Sequence, residues 1–536
     1  MISNEEKKLY LGDLFRHLDG IAIVNVAYLF HSKGIAKYLL SKSRHTLDDL
    51  CLKFNAKCGY LNVALRLLAS QGWLVYEVDN ATATVTITLN ENSEAAFSLF
   101  QNYKTASEFL KVSRFFHPKK STTVDLYKMY KILQSIQEQI SLSDTSSLEY
   151  QVKKHIEGAV VGPLTVALAM NGFFHKYFME ASFTADEYHE DPESFTKILD
   201  FYTFLGWFIK KDNSYKFTEK GLFFAKRASA YGVTVSYIPT FNNLEDLLFG
   251  DYSSMRSSSK NQTEIHVDRA MNVWGSGGAH ANYFKQIDDI IIQIFNRPIE
   301  EQPKGILDMG CGNGAFLIHL FDVIEQRTSR GKVLDEYPLL LVGVDFNKEA
   351  LKVTRANLVN ADVWAKVIWG DIGNPELLEK DLIENYDIRL RDLLNVRTFL
   401  DHNRIWSEPH NDINTQNSIS TGAFAYLGKK LSNNNVEQNL KEHLLKWKPF
   451  IQKFGLLTIE LHTIPPDIAA KNIGNTAITA YDATHGFSDQ YIVEIEVFLK
   501  VLKEIGLKSE KKYFSKYPDS EIATVSIQYI ADKSGK

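Results

Sequence analysis

From Lys304 onward the chain alternates short β-rich runs with helical patterns, and the first run, Gly305 to Met309, opens directly into Gly310-Cys311-Gly312-Asn313-Gly314. Alternation of this kind predicts a parallel sheet with helices on both faces. The strands expected are Gly305 to Met309, Leu339 to Asp345, Ala365 to Trp369, Leu393 to Thr398, Gly455 to His462 and Ile522 to Ile530. Such a sheet holds its ligand at the carboxyl ends of the strands, where glycines let the backbone come close to it.

The spacing Gly-x-Gly-x-Gly behind Asp308 differs from the Gly-x-Gly-x-x-Gly of dinucleotide loops. It favours S-adenosylmethionine, which has no phosphates, so that Gly310, Gly312 and Gly314 are needed for room rather than as an anion cradle. Asp345 closes the second strand, where a carboxylate can accept both ribose hydroxyls, and Phe346 follows it. Asp371 and Ile372 follow the third strand, where an acidic side chain can receive the adenine amino group. Taken singly, a glycine triplet is more often a turn and a strand-end Asp more often a helix cap. Three such signals in the right order point to a methyltransferase cofactor site made of Asp308, Gly310, Gly312, Gly314, Asp345, Phe346, Asp371 and Ile372.

At 536 residues the chain exceeds what one hydrophobic core serves, so several domains are expected. A hydrophobic content of 45% and a charged content of 23% exclude a disordered composition. A net charge of -5 provides no basic field for nucleic acid. No segment approaches the roughly 18 apolar residues that span a bilayer. Three cysteines cannot make a disulfide framework, and no Met1-proximal run has the form of a signal peptide, so the cytoplasm is the expected compartment.

Upstream, helical patterns at Ile21 to Leu40, Thr46 to Phe54 and Leu61 to Gln71 precede Gly72-Trp73 and the β-rich stretch Ala81 to Leu89, the order of a winged-helix unit. Gly172 to Tyr177 echoes Gly34 to Tyr38, and Leu205-Gly206-Trp207 echoes Gln71-Gly72-Trp73, which suggests a degenerate repeat of two such modules. With Ser141 to Ser147 and Ser253 to Thr263 as linkers, the expected domains are two winged-helix-like modules, 1–145 and 146–265, and a methyltransferase core, 266–536. The expected fold class is therefore α/β: a class I, Rossmann-like core behind a large, mostly helical N-terminal lid.

The stretches flanking the loop include Ser236-Tyr237-Ile238-Pro239, Asp246 to Gly250, His266-Val267-Asp268-Arg269, Gly275-Ser276-Gly277 and Gly370 to Pro375. They continue with Phe399-Leu400-Asp401-His402, Glu460-Leu461-His462 and Gly486 to Tyr491. Together they resemble the methyltransferase domains in polyketide synthase loading modules of the saxitoxin and apratoxin type, over most of the chain. The resemblance implies C-methylation of a malonyl unit on the phosphopantetheine arm of an acyl carrier protein, assisted by a mononuclear divalent metal, iron or manganese. It implies His462 and Gln490 as the metal ligands. The chain departs from the family pattern at its end, where Lys536 follows the last core strand and no acetyltransferase-like domain appears.

Methylating a malonyl carbon requires removal of a poorly acidic proton, and a chelated cation would stabilise the enolate. His462, at the end of the fifth strand, is placed to enter a metal's coordination shell, although a strand-end His alone is more often structural. His402, after the fourth strand, is the candidate base; the alternative is a hydrogen-bonded loop pair with Asp401. Arg269 is a candidate partner for a malonyl carboxylate, against a solvated helix face. Tyr237 and Tyr491 read as packing residues. Two rivals remain: a small-molecule O-methyltransferase with a winged-helix dimerisation domain, and a winged-helix DNA-binding regulator with a vestigial core. Near Leu61 to Gln71, Arg66 is the only cation, which disfavours the regulator. The oligomeric state stays open.

Overall fold

A computed structural model describes residues 2–113, 116–119, 123–140, 147–251, 255, 265–410 and 417–532. The expected linkers therefore lie largely outside the described residues. The strands are β1 (Arg44–Thr46), β2 (Val75–Asp79), β3 (Thr84–Thr88), β4 (Phe183–Thr184), β5 (Phe208–Lys211), β6 (Ser214–Phe217), β7 (Gly305–Met309) and β8 (Leu340–Asp345). They continue as β9 (Lys366–Trp369), β10 (Leu393–Thr398), β11 (Phe424–Tyr426), β12 (Lys429–Leu431), β13 (Leu456–Leu461), β14 (Leu507–Ser509), β15 (Ser515–Tyr517) and β16 (Val525–Asp532).

The N-terminal part is built on two long helices, Asn4–Ser32 and Leu148–Met170. The first starts at a capping box in which Ser3 and Glu6 satisfy each other's backbone N–H groups. The two helices cross at glycines: a Cβ on Gly20 would fall 2.3 Å from the His155 Cα, and one on Gly158 would fall 2.2 Å from the His17 Cα. Only hydrogen fits there. Around this pair lie two three-stranded antiparallel sheets with the same order, β1-β3-β2 and β4-β6-β5. In each, the last two strands form a hairpin behind a helix and a buried Gly-Trp step, with Trp73 and Trp207 fully covered.

The C-terminal part holds an eight-stranded sheet ordered β14-β16-β13-β10-β7-β8-β9, with β15 also on β16. Strands β13, β10, β7, β8 and β9 run parallel, while β14, β15 and β16 pair antiparallel. Successive residues of β7 face opposite layers. Ile306 packs with Ile290, Ile294 and Leu317 from two helices, whereas Leu307 and Met309 pack with Leu378, Leu382 and Trp447 from two others. Helices therefore cover both faces, as the near-continuous apolar strands demand.

Chain order leaves β7 toward β8 on one side and toward β10 on the other, so a crevice opens between β7 and β10 at their carboxyl ends. The N-terminal part reaches this crevice through the helix Ala228–Ser236, which crosses the helix Arg269–Phe284 at a glycine contact. A Cβ on Gly232 would stand 2.6 Å from the Gly275 Cα. A small hairpin, β11–β12, packs on the helix Cys58–Ser70: a Cβ on Gly59 would meet the Lys429 carbonyl oxygen at 2.5 Å.

Candidate active site

The loop after β7 turns through three left-handed glycines, Gly310 (φ 80°), Gly312 (φ 56°) and Gly314 (φ 79°), before the helix Ala315–Arg327 begins. The Gly310 and Cys311 N–H groups donate to the Val344 carbonyl, which fastens the loop to the end of β8. Leu400, just past β10, closes on Gly310, where a Cβ would lie 2.9 Å from its side chain. At Gly312, by contrast, an added Cβ would meet only the Gly310 oxygen at 4.0 Å, so space stands open there for a ligand.

Asp345 ends β8 and is held on two sides: its Oδ2 accepts from the Gly312 N–H at 3.0 Å and its Oδ1 from the Asn347 N–H at 2.8 Å. Burial raises its carboxyl above the ordinary range, against those two N–H groups and the charge of Arg269. Asp308 is fully buried, and neither of its oxygens has a hydrogen-bond partner among the described residues. Burial, with Asp345 nearby, pushes its carboxyl up to about 8. Two carboxyl groups crowded at a glycine loop form an acidic pocket, and a ligand that carries a sulfonium and an ammonium would favour their ionisation. Phe346 is 56% exposed and its ring lies 5.5 Å from that of Trp369, leaving an aromatic surface at the pocket's edge. Beyond β9, Asp371 accepts from the Gly373 N–H at 2.7 Å, and the Ile372 carbonyl accepts from the Trp447 Nε1–H at 2.7 Å. The residues fit S-adenosylmethionine.

On the other side of the crevice, His402 follows β10, and its Nδ1 meets Glu460 Oε1 at 2.5 Å. Glu460, on β13, also accepts from the Asp401 and Leu461 N–H groups, both at 2.8 Å. A carboxylate so placed accepts, so the pattern puts the hydrogen on His402 Nδ1 and the lone pair on Nε2. Asp401 is engaged elsewhere, with Arg397 at 2.5 Å and His443 at 2.9 Å. Burial opposes its charge, but Arg397 and His443 outweigh that and keep the carboxyl below its usual range. His485, on the helix Ile478–Gly486, sets its ring 4.8 Å from that of His402, edge to face. Sequence reasoning assigned no role to Glu460 or His485. The first lies 58 residues from its partner, a pairing that only the β10–β13 adjacency reveals.

The remaining expected residues scatter. Arg269, first residue of its helix, stands near enough to favour the Asp345 charge, which places it on the cofactor side of the crevice. Tyr491 is buried against Trp406, and Tyr237 accepts from Gln490 Nε2 at 3.2 Å. The metal expected on His462 and Gln490 does not fit this arrangement. His462 is fully buried, its Nδ1 bonded to the Val493 carbonyl at 3.0 Å and its Nε2 to Ser526 Oγ at 2.7 Å, so neither nitrogen is offered to a cation or to the crevice. Burial lowers the imidazole to about 4. Among the described residues, no group of three or more His, Cys, Asp or Glu side chains is arranged to hold a metal ion. No helix there is long and apolar enough to cross a membrane.

A doubly wound sheet with a glycine loop and an acidic strand end at its switch point, behind a helical and winged-helix region, defines a class I S-adenosylmethionine-dependent methyltransferase. Three family models match in succession: the AprA N-terminal domain over residues 10–76, the AprA winged helix domain over 157–251 and the AprA MT2-like domain over 264–528. The chain belongs to the AprA-type methyltransferase family. No curated protein matches it. Solved structures similar to it include the mitomycin 7-O-methyltransferase MmcR (12% identity, 71% of this chain and 97% of that one, TM-score 0.41). Another is an O-methyltransferase family 2 protein from Planctomyces limnophilus in complex with apigenin (11%, 98% and 94%, TM-score 0.39). A third is the CurJ carbon methyltransferase (12%, 76% and 99%, TM-score 0.33). Likenesses this distant carry no weight in the assignment.

Proposed function

We propose that the chain transfers the methyl group of S-adenosylmethionine to the carbon of a malonyl-type acyl group, carried on the phosphopantetheine of an acyl carrier protein, in cytoplasmic polyketide assembly. The observation that carries this reading is the His402–Glu460 pair, a carboxylate-backed imidazole two residues beyond the leucine that closes on Gly310. A carbon acid needs such a base close to the methyl donor.

When bound, S-adenosylmethionine supplies an electrophilic methyl group and a neutral thioether as its leaving group. Asp345 would accept the ribose hydroxyls, Phe346 and Ile372 would flank the base, and Asp308 would face the positive charge. His402 Nε2 takes the acidic proton of the acyl carbon, and the electron pair left behind attacks the methyl carbon. Glu460 stabilises the imidazolium that forms, as a carboxylate behind a catalytic histidine does. The covering N-terminal part keeps water from the site. The metal implied by the resemblance takes no part in this reading, because both His462 nitrogens are bonded within the protein.

The test is intact-mass spectrometry of malonyl-carrier protein incubated with enzyme and S-adenosylmethionine, with and without a chelator. Gain of one or more methyl masses in both arms supports the reading. Gain abolished by the chelator would return a metal to the mechanism, and methylation of phenols with none of the carrier-bound acyl group would replace it with an O-methyltransferase.

A further inference from the structure

We infer that His485 is a positioning residue for the His402 base, held in place from the N-terminal part of the chain. This rests on the reading of His402 and Glu460 as the base. One hydrogen bond, from Nδ1 to Glu460, leaves the His402 ring free to swing about that bond. The His485 ring packs against it at 4.8 Å and an interplanar angle of 78°, and so removes the freedom that would let Nε2 lose its aim.

His485 is itself fixed. Its Nδ1 donates to the Tyr481 carbonyl one turn back at 2.7 Å. The turn that follows ties the two histidines together: the Gln490 N–H donates to the His485 carbonyl at 3.0 Å, and the next N–H, from Tyr491, donates to the His402 carbonyl at 2.8 Å.

The helix that carries His485 is gripped from outside the core. On the helix Cys58–Ser70, Arg66 pairs with Asp482 at 3.0 Å and Ser70 meets Thr479 at 2.8 Å, while Gln71 just beyond it donates to Thr479 at 2.7 Å. Gly486 presses on the same helix, where a Cβ would lie 2.8 Å from the Val63 side chain. A segment that sequence alone reads as a lid thereby sets the orientation of the base.

The experiment uses the full chain with S-adenosylmethionine and malonyl-carrier protein, comparing wild type, His485→Ala, His485→Phe and His402→Ala. His485→Ala is expected to lower kcat about 100-fold, the scale of a misaimed catalytic group, with the KM for S-adenosylmethionine unchanged. His485→Phe, which keeps a ring against His402, is expected to recover kcat to within a few-fold. NMR relaxation of the His402 ring should show restricted motion in wild type and in His485→Phe, and larger-amplitude motion in His485→Ala. Wild-type kcat and an equally restricted ring in His485→Ala would overturn the inference, as would a His485→Phe enzyme no better than His485→Ala. Turnover surviving in His402→Ala would instead sink the base reading, and the ring-motion measurement would still decide the ring contact.

Discussion

Among the described residues no protein group satisfies Asp308, and that makes it a sensitive reporter in the cofactor pocket. With its carboxyl raised to about 8 in the folded chain, the native state holds a proton that the unfolded chain releases near its ordinary value of 3.8. The unfolded state then binds fewer protons between those values, so this group lowers stability as pH rises through the window, by about 1.4 kcal/mol per pH unit at most. Asp308→Asn removes the slope. In cofactor-free protein it should melt above wild type, with the gap widening from about pH 5 to about pH 8, while binding of S-adenosylmethionine weakens; calorimetric melts across that range check both. Glu460→Gln tests the other side of the crevice. The amide can present its N–H to His402 Nδ1 and so select the wrong tautomer, and methyl transfer should fall by about 100-fold or more with cofactor affinity unchanged.

Among the elements, the helix Cys58–Ser70 makes a buried ionic connection between the two parts of the chain. Arg66 is 2% exposed and donates to Asp482, Thr421, Thr463 and the Ile464 carbonyl. Arg66→Ala would leave Asp482 buried without its cation, a loss of about 3–5 kcal/mol, and thermal unfolding should show it. Gly158→Ala should also destabilise, because the added methyl would overlap the His17 backbone and force the two long helices apart.

At this scale the sequence was informative where pattern and position coincide. Gly305 to Met309 and Leu393 to Thr398 are strands as expected, and the other four begin or end within one to three residues of the expected bounds. Strands β14 and β15, three residues each, are too short to show alternation. The Asp308, Gly310 and Asp345 signals are local and could be read directly. The place of His462 at a strand end is visible in sequence, whereas the direction of its ring, toward Ser526, depends on β16 lying alongside β13. Glu460 and His485 escaped for the same reason, since their partnership with His402 exists only in the folded sheet.

Across the whole molecule, the glycine loop and a carboxylate-backed imidazole stand on two sides of the crevice, with the N-terminal part gripping the helix beside them; the proposed function puts the methyl donor at the loop. Every chemical role assigned here presupposes that S-adenosylmethionine occupies the pocket between Gly312 and Asp345. Isothermal titration of S-adenosylmethionine into the wild-type chain and into Asp345→Ala measures that occupancy directly. Saturable one-site binding in wild type, weakened at least about tenfold in Asp345→Ala as loss of the ribose contacts requires, is the predicted result. No binding by the folded wild-type chain, or equal affinity in the two proteins, would contradict it.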